Sequence, residues 1–540
     1  MMRAAIIFSP QWDPRQPPLA PALLFRVLDD SGIETRVFDL NLALYRRLLD
    51  SSISGGIEDY LIKRLFDPAS LVDAQNYIRI GERVQQLFDE RFDPHGGGRL
   101  FWDAVGSAGS VNTAAGWQAI IADPKNTAYF KHLEPEINRI ISWKPDCLGF
   151  SVISDTQLPA SLALASFFRG CLPDCRIIFG GAALTYRRSL LAEKSWLSSI
   201  ADAICLGDGE PFLAEMGCGR GRNELPNALS WGRSQEPVSG PSKIQDMSFS
   251  PAPDFSCLPL QNYLTPHLVI PVETARNCPW GRCAYCIHPV RSANGRPVYR
   301  PKPMKQVSAE IFRLFAAGHR RFYIVDEAIP PARLRELSNL VQELPDRVSW
   351  ICYARLDAGH DLEGFKMARA SGCRKLFIGV ESGSARILKR FNKGVTVETA
   401  QKVLLDAATA GLAVHFFLMT GFPQEDASDR QATLDLLARV LPAFEPFGFS
   451  FDLFSLSAEL ETDLMADPAL FGWSGLSGET KNDLAWQFPV QSGRTAADSL
   501  MQFKAAIHKL ADQILGSGFG LRHAGLSQDS LHLLLLEARD

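Results

Sequence analysis

The sequence of 540 residues lacks any long apolar run. Its longest candidates, around Leu412–Met419 and Leu533–Leu536, fall short of the ~18 consecutive apolar residues that a membrane-spanning helix needs. The short apolar stretch at the amino terminus is followed by Pro10, Trp12 and Asp13, so we interpret it as a first β-strand and not as a signal peptide. We therefore expect neither a membrane segment nor a membrane partner.

The chain also lacks a large excess of either positive or negative charge. The formal net charge is −4 and no block rich in Lys or Arg stands out, so nucleic acid is not expected as a partner. No repeat or low-complexity tract appears either. Apolar residues make up 46% and charged residues 21% of the chain, which is typical of globular protein with sizeable cores, and the length favours two or three domains.

Paired cysteines are missing as well. The cysteine count is 11, an odd number, and most of them are scattered singly or loosely. A disulfide framework is therefore not expected, and the reducing cytoplasm is the expected compartment. Three cysteines differ from the rest by their close spacing.

The amino-terminal part alternates strand and helix patterns. A helix pattern from about Leu19 to Ser31, stopped by Gly32, separates the first two strands, which is the opening βαβ unit of a parallel sheet. We predict that residues 1–220 form a doubly wound, Rossmann-like α/β domain with a helical insertion at about 42–142. The predicted strands are Ala4–Phe8, Thr35–Leu40, Cys147–Ile153, Arg176–Phe179 and Ala203–Leu206.

A second series of strands and helices follows. Residues 221–262 are rich in Gly, Pro and Ser and poor in periodic pattern, which predicts a linker. Beyond it we predict a partial (β/α)6 barrel over residues 263–458 and a small helical carboxyl-terminal region over 459–540. The predicted barrel strands lie near Leu268–Glu273, Phe322–Val325, Ser349–Ala354, Lys375–Glu381, Ala413–Thr420 and Phe449–Leu456.

The three closely spaced cysteines share the segment NCPWGRCAYC, directly after the first strand of the second series. The spacing Cys-x4-Cys-x2-Cys lets Cys278, Cys283 and Cys286 bind three irons of a 4Fe-4S cluster and leaves the fourth iron open. A purely electron-carrying cluster would take a fourth cysteine nearby, and the next one is Cys352. From the spacing alone, a zinc site completed by His288 remains the alternative.

This loop resembles that of the radical S-adenosylmethionine (SAM) superfamily. The usual pattern there is Cys-x3-Cys-x2-Cys with an aromatic residue before the last cysteine, which is Tyr285 here. The first gap is one residue longer in this chain, as in relatives that carry a cobalamin domain and a similar Pro-Trp-Gly sequence. The resemblance implies that Cys278, Cys283 and Cys286 are both the metal ligands and the catalytic centre.

Four downstream segments resemble the strand ends that bind SAM in this superfamily, and they occur in the same order: FYIVDEAI, YARLD, GVESGS with LKRFNKG, and MTGFPQED. The resemblance implies that the first holds the methionyl group and that the second supplies a cation able to pair with a carboxylate. The third would contact the amino acid or the ribose, and the fourth would lie beside the adenine. The residues so implied are Asp326, Glu327, Arg355, Glu381, Ser382 and Gly421.

The amino-terminal domain resembles the cobalamin-binding domain of the same subclass, through the segments GFS, FGG and GDGE. Small residues at the carboxyl ends of parallel strands let a flat macrocycle approach the backbone. The chain has no Asp-x-His-x-x-Gly motif, so either the cobalt lacks a protein His or the domain does not bind cobalamin. The residues implied are Gly149, Ser151, Gly180, Gly181, Gly207, Glu210 and Trp12.

The resemblance implies a cobalamin-dependent radical C-methyltransferase. A reduced 4Fe-4S cluster would cleave SAM, the resulting radical would take hydrogen from an unactivated carbon, and cobalamin would supply the methyl group. The implied partners are a natural-product or peptide substrate and an electron donor such as flavodoxin or ferredoxin. Radical cyclisation, rearrangement or ring contraction with the same cofactors stays open, and a methylthiotransferase or a non-catalytic cobalamin or Fe–S binding protein is less favoured.

Overall fold

The computed structural model describes residues 2–49, 57–92, 114–218, 224–231, 236–288, 298–459, 461–474, 487–489, 494–515 and 529–537. The chain divides into two compact units. The first is formed by Met1–Leu268, and the second by Val269–Lys481 together with Trp486–Asp540.

The first unit is built on a seven-stranded sheet with the order β2-β1-β3-β4-β5-β6-β7. The first five strands in this order run parallel, and β6 and β7 are antiparallel to their neighbours. The chain leaves β1 towards β2 on one side and later returns to β3 on the other, which is the doubly wound topology predicted above. The strands are β1 (Arg3–Phe8), β2 (Glu34–Asp39), β3 (Cys147–Ser151), β4 (Arg176–Gly180), β5 (Ala203–Cys205), β6 (Ala228–Trp231) and β7 (Pro237–Ser239).

Ten helices accompany this sheet in the described part of the first unit. The predicted helical insertion at about 42–142 corresponds to α2 through α6, and the Asp39 side chain caps α2 by accepting a hydrogen bond from the Leu42 amide at 2.7 Å. The helices are α1 (Leu19–Asp30), α2 (Leu40–Leu48), α3 (Ile57–Leu65), α4 (Ala74–Phe92), α5 (Ala114–Ala122), α6 (Ala128–Trp143), α7 (Leu158–Cys171), α8 (Ala182–Thr185), α9 (Arg188–Ala192) and α10 (Gly209–Gly217).

The segment 221–262, predicted as a linker, is in its described part an integral portion of the first unit. It supplies β6 and β7, which extend the sheet beyond β5. The stretch that follows is bonded back to the unit, since the Tyr263 hydroxyl donates to Asp39 at 2.6 Å and the Leu264 amide donates to the Pro14 carbonyl at 2.9 Å. Strands of three and four residues are too short to produce a recognisable alternation, so composition alone gave the wrong assignment.

The second unit contains a six-stranded parallel sheet with the order β15-β14-β13-β12-β11-β8. Tyr353 on β12 and Phe417 on β14 stack with ring centroids 5.8 Å apart although β13 lies between them. The side chains of this face therefore converge, as on the inside of a partial barrel. The strands are β8 (Ile270–Val272), β9 (Ala275–Arg276), β10 (Arg300–Pro301), β11 (Arg321–Ile329), β12 (Ser349–Ala354), β13 (Cys373–Glu381), β14 (Ala413–Thr420), β15 (Phe449–Ser455), β16 (Ser457–Glu459) and β17 (Gln487–Pro489).

The helices that connect these strands begin at side-chain caps. Asp361, Thr396 and Asp426 each accept a hydrogen bond from a backbone amide in the first turn of the helix that follows, as expected for these residue types. No helix in the described ranges is long and apolar enough to cross a membrane. The helices are α11 (Met304–Ala316), α12 (Pro331–Gln342), α13 (Leu362–Ala370), α14 (Ala385–Arg390), α15 (Val397–Thr409), α16 (Ala427–Val440), α17 (Asp463–Ala466), α18 (Arg494–Leu515) and α19 (Asp529–Glu537).

The carboxyl-terminal helix α19 is part of the barrel unit and not of a separate region. His532 on α19 is buried, and its Nδ1 lies 2.9 Å from the Lys375 ammonium, which also donates to the Ser450 hydroxyl at 2.6 Å. Lys375 and Ser450 lie near the amino-terminal ends of β13 and β15. The helix therefore covers the end of the sheet opposite to the carboxyl ends of the strands, where β/α folds place their active sites.

Candidate cluster and cofactor site

The cysteine loop follows the short strands β8 and β9 and is fastened at both ends. Asn277 has a left-handed backbone (φ 69°), its amide donates to the His288 carbonyl at 3.2 Å, and its oxygen accepts from Arg300 at 3.0 Å. In the middle of the loop, the Ala284 amide donates to the Phe391 carbonyl at 3.0 Å. These bonds bring the loop against the end of α14, beside the carboxyl end of β13.

The three cysteines of this loop are the predicted ligands of the cluster. Among the described residues, no three His, Cys, Asp or Glu side chains form a group that could hold a metal ion as they stand. Burial raises the pKa of Cys286 to about 12, and the charges of Cys283 and Cys278 act in the same direction. The assignment of the loop to a 4Fe-4S cluster therefore stays a prediction from its spacing and its resemblance.

Trp280, inside the lengthened first gap, docks on the turn that follows α14. Its indole Nε1 donates to the Asn392 carbonyl at 2.8 Å. Gly394 has φ 76°, and a Cβ built on it would lie 2.4 Å from Cζ2 of Trp280. The indole thus lies on the bare backbone of Gly394, and no other residue would fit there without displacing it.

Arg355, at the end of β12, lies against the same turn and the cysteine loop. Its Nη2 donates to the Lys393 carbonyl at 2.7 Å, its Nε donates to Asp357 at 3.1 Å, and its Nη1 lies 4.0 Å from the Cys283 sulfur. The guanidinium is also 5.5 Å from the centre of the Trp280 ring. Arg355 is therefore brought to the cysteines as predicted, but its nitrogens face the protein's own groups.

Glu381 ends β13 in a left-handed conformation (φ 63°) and forms an ion pair with Lys393, with Oε1 and Nζ 2.7 Å apart. Both side chains are largely buried, with 12% and 8% of their surface exposed. Burial alone would lower the pKa of Lys393, but the charges of Glu381 and Cys283 raise it above its ordinary value. A Cβ at Gly379 would come within 2.4 Å of the Glu381 carboxylate and 2.9 Å of the Lys393 Nζ, so a larger residue in GVES would displace the ends of this pair.

Asp326 serves the scaffold of the site. Its carboxylate accepts from the Thr274 amide at 2.7 Å, the Thr274 hydroxyl at 2.5 Å and the Ala275 amide at 3.0 Å. Burial nevertheless raises its pKa to about 6. The methionyl group was predicted to be held by Asp326 or Glu327, and both oxygens of Asp326 already accept hydrogen bonds from Thr274 and Ala275.

Glu327, the other residue of that prediction, is also largely enclosed by protein. Burial raises its pKa to about 7, and the backbone amide of Asn277 opposes the rise by donating to it. Its carboxylate therefore lies beside Asn277, the residue that precedes Cys278 in the chain. The assignment of Glu327 to the methionyl group stays a prediction.

Ser382 and Gly421 shape turns at the same edge of the sheet. The Ser382 hydroxyl is buried, lies 3.3 Å from the Thr433 hydroxyl and accepts from the Ser384 amide at 3.1 Å. This corrects its prediction as a cofactor contact, since the side chain is enclosed by its own turn. Gly421 has φ 81°, and its amide donates to Glu425 at 2.6 Å. Its place at the end of β14 agrees with the predicted turn, and adenine contact stays a prediction.

In the first unit, the glycines predicted for cobalamin lie on or just after β3, β4 and β5: Gly149 is the middle residue of β3, Gly180 ends β4, and Gly181 and Gly207 follow β4 and β5. A Cβ at Gly181, where φ is 119°, would lie 2.2 Å from the Val152 carbonyl, so this glycine is required by the fold itself. Gly149 and Gly180 have nothing closer than 4.0 Å and 3.4 Å to a built Cβ. Ser151 ends β3 and is buried.

The remaining residues of that prediction differ in accessibility. Gly207 has φ 127° and donates its amide to the Thr185 hydroxyl at 3.0 Å. Trp12 is half-buried in the loop after β1. Glu210 is 5% exposed and accepts from the Ser250 hydroxyl at 3.3 Å, so we correct its assignment from cofactor contact to scaffold. The loops after β1, β3, β4 and β5 contain no His, and their bare backbone fits a flat macrocycle that takes no protein ligand from them.

Lys393 and Thr274 were missed by the sequence analysis. Lys393 lies inside the LKRFNKG segment, yet its Nζ is bonded to a residue twelve positions earlier, a pairing that no local pattern reveals. Thr274 pairs with Asp326 across two strands. The available signal was that Lys393 lies within the LKRFNKG segment and that Thr274 lies just before the cysteine segment.

Residues 272–437 match the protein-family model of the radical SAM superfamily. The matched range starts in β8 and ends in α16. It therefore contains the cysteine loop and every strand end described above for the second unit.

Two relatives are methyltransferases by name. The uncharacterized methyltransferase PH0819 of Pyrococcus horikoshii is 23% identical over 318 residues, 55% of this chain and 65% of that protein. The hopanoid C-3 methylase of Methylococcus capsulatus is 24% identical over 286 residues, 52% of this chain and 53% of that protein. The chain thus spans less than two thirds of the length of either relative.

A solved structure with the same fold is that of TsrM, a radical S-adenosylmethionine methyltransferase from Kitasatospora setae with cobalamin and a [4Fe-4S] cluster bound. The TM-score is 0.60 at 15% identity, and the match covers 100% of this chain and 99% of that chain. At this identity the likeness shows the fold. The predicted fold class, a doubly wound α/β unit followed by a partial β/α barrel, is confirmed.

Proposed function

We propose, on the premise that residues 272–437 are a radical SAM domain, that the chain is a cobalamin-dependent radical SAM enzyme that methylates an unactivated carbon. The observation that carries the proposal is the placement of Cys278, Cys283 and Cys286 on one braced loop, with Arg355 and the Glu381–Lys393 pair against it. A protein that merely bound a cluster would have no need of buried charged groups at the strand ends.

Cys278, Cys283 and Cys286 would hold three irons of a 4Fe-4S cluster. Such a cluster would supply the electron for reductive cleavage of the carbon–sulfur bond of SAM, with methionine as the leaving group. The chain's own contribution is the rigid placement of the loop through Asn277, the Ala284 amide and the Asp326–Thr274 bonds.

SAM would be oriented by the carboxylates of Glu327 and Glu381 and by the turn at Gly421. Glu381 is held at its place by Lys393 at 2.7 Å and by its left-handed backbone. In this arrangement a carboxylate can accept from the amino group or the ribose hydroxyls of the cofactor, and burial strengthens such bonds.

The first unit would bind cobalamin through the backbone at the carboxyl ends of β3, β4 and β5, with Gly149, Gly180, Gly181 and Gly207 leaving room for the macrocycle. Cobalamin supplies a transferable methyl group. Because no His occurs in the loops at this edge, we expect no protein imidazole on the cobalt. Trp12 is the aromatic residue of the loop after β1 that could cover its lower face.

The substrate class we propose is a small molecule or a peptide, and the names of the two methyltransferase relatives support methyl transfer over another radical outcome. The electron would come from a reduced flavodoxin or ferredoxin, and the oxygen sensitivity of an open cluster suits the reducing cytoplasm. Neither nucleic acid nor a membrane is proposed as a partner.

The test combines anaerobic cluster reconstitution, cobalamin loading and incubation with candidate substrates and SAM carrying a deuterated methyl group. Mass spectrometry should find one labelled methyl group on a carbon of the product, and electron paramagnetic resonance of the cobalt(II) form should lack splitting from an axial nitrogen. A chain that binds no cobalamin would remove methylation from the proposal. Cofactor cleavage with a product of unchanged mass would favour cyclisation or rearrangement.

A further inference from the structure

The position of Arg355 is fixed by groups other than a ligand. Its Nη2 donates to the Lys393 carbonyl at 2.7 Å and its Nε to Asp357 at 3.1 Å. The Trp280 ring lies 5.5 Å from the guanidinium carbon. Only 6% of the Arg355 side chain is exposed. A buried guanidinium with this many fixed partners has little freedom to turn towards an incoming cofactor.

The remaining nitrogen of Arg355 points at a cluster ligand. Nη1 lies 4.0 Å from the Cys283 sulfur, a distance that suits a weak hydrogen bond to sulfur. An arginine guanidinium keeps its proton in proteins at any ordinary pH. The guanidinium is therefore a permanent positive charge beside the thiolate.

The positive charge of Arg355 is only partly neutralised by nearby carboxylates. Lys393 is already neutralised by Glu381 at 2.7 Å. Asp357, the partner of Arg355, has 30% of its side chain exposed, so water screens it more than the guanidinium. Hydrogen bonds and positive charge at the cluster sulfurs favour the more negative, reduced cluster.

From this geometry we propose that Arg355 is a positioning residue of the cluster, which donates to the Cys283 thiolate and raises the reduction potential, and that it does not bind the SAM carboxylate. The inference rests on the proposed function, because it requires the cluster on Cys278, Cys283 and Cys286. Trp280 and the Lys393 carbonyl hold the guanidinium in place for this role.

The two roles predict different responses to the same substitutions. If Arg355 serves the thiolate, Arg355→Met lowers the potential of the cluster in the absence of SAM. If Arg355 instead binds the cofactor carboxylate, the potential without SAM stays at the wild-type value and only SAM affinity falls. Arg355→Lys keeps the charge and should recover most of the potential.

The experiment is an anaerobic redox titration of the reconstituted full chain without SAM, followed by electron paramagnetic resonance. At the wild-type midpoint, Arg355→Met should show a ratio of reduced to oxidised cluster about tenfold lower than wild type, which for a one-electron couple equals a shift of about 59 mV to more negative potential. Asp357→Asn removes the counter-charge but keeps a side-chain oxygen that can accept from the Arg355 Nε, and it should shift the potential in the positive direction. Lys389→Met removes an exposed charge on α14 and should leave the potential unchanged.

The measured potentials separate failure of the inference from failure of the proposed function. Equal potentials for wild type, Arg355→Met and Asp357→Asn would overturn the inference while leaving the proposed function intact. If Arg355→Met fails to fold or to hold a cluster, Asp357→Asn decides, and an unshifted Asp357→Asn overturns the inference. A wild-type chain that binds no 4Fe-4S cluster would overturn the proposed function, and the inference with it.

Discussion

The contact between Gly394 and Trp280 can be broken by adding one methyl group. In Gly394→Ala the new Cβ would lie 2.4 Å from Cζ2, 2.5 Å from Cε2 and 2.7 Å from Cη2 of the indole. Because three ring atoms are hit at once, a small adjustment cannot relieve the clash. The indole must move away, and its hydrogen bond to the Asn392 carbonyl at 2.8 Å is then lost.

The expected loss of stability has three parts. An alanine at φ 76° costs ~1–2 kcal/mol of backbone strain. Loss of the indole hydrogen bond costs ~1 kcal/mol, and exposing part of the ring costs about 1 kcal/mol more. We therefore expect Gly394→Ala to be destabilised by about 3–4 kcal/mol and to release its cluster more readily, since Trp280 belongs to the cysteine loop.

Gly318→Ala is the matched control, because Gly318 has φ 94° but nothing within 4 Å of a built Cβ. It should lose only the strain of ~1–2 kcal/mol and keep its iron. The assay is urea unfolding of the apoprotein, together with iron content after anaerobic reconstitution and gel filtration. If both variants lose the same stability and retain the same iron, the reasoning that Trp280 braces the cysteine loop is refuted.

Three further predictions concern the carboxylates and the first unit. Burial raises the pKa of Glu327 to about 7 in the folded chain, so between about pH 4.5 and 7 the folded state keeps a proton that the unfolded chain loses, and the free energy of unfolding falls as pH rises. Relative to wild type, Glu327→Gln should therefore gain about 3 kcal/mol of stability between pH 4.5 and pH 8, measured by urea unfolding at both pH values. A stability difference between the two proteins that does not change with pH would contradict this. Glu381→Gln should keep its cluster spectrum but form 5′-deoxyadenosine tens-fold more slowly at a low SAM concentration, because a charge-assisted hydrogen bond contributes ~1.5–3 kcal/mol. A wild-type rate in this variant would remove Glu381 from the site. In Gly181→Ala the new Cβ would lie 2.2 Å from the Val152 carbonyl, which should destabilise the first unit by about 3 kcal/mol. The control Gly32→Ala, whose Cβ would have no atom within 4 Å, should lose about 1 kcal/mol. Equal decreases in the melting temperature of the two variants would show that the turn at Gly181 adapts.

Much of the fold follows from periodic pattern in the sequence. The five parallel strands of the first sheet and the six of the second were predicted within a few residues, because parallel strands buried on both faces give continuous apolar runs between helix patterns. The segment 221–262 was assigned wrongly, because β6 and β7 are too short to carry a pattern and their pairing is set by the neighbouring strand. Helix α19 was likewise not attached to the barrel, since its contact with Lys375 joins residues 157 positions apart.

The sequence predicted which segments form the site, but it did not predict the individual contacts of their side chains. Spacing and resemblance assigned the cysteines, Arg355 and Glu381 to one site, and in the structure Arg355 lies 4.0 Å from Cys283 while Glu381 pairs with Lys393. They could not tell a carboxylate that faces a cofactor from one that faces the scaffold, so Asp326 and Glu327 stayed alternatives. The decisive contact, from the Thr274 hydroxyl to Asp326 at 2.5 Å, depends on how two strands align in space.

The central claim is that Cys278, Cys283 and Cys286 hold a 4Fe-4S cluster that cleaves SAM, and the most direct test is 5′-deoxyadenosine formation by the reconstituted chain with dithionite. The account predicts about four irons per chain and steady formation of 5′-deoxyadenosine by wild type. The triple variant with Ala at Cys278, Cys283 and Cys286 should lose both, whereas a control with Ala at Cys171, Cys218 and Cys257, which are exposed or partly exposed, should keep both. Cofactor cleavage or an unchanged iron content in the first variant would contradict the account.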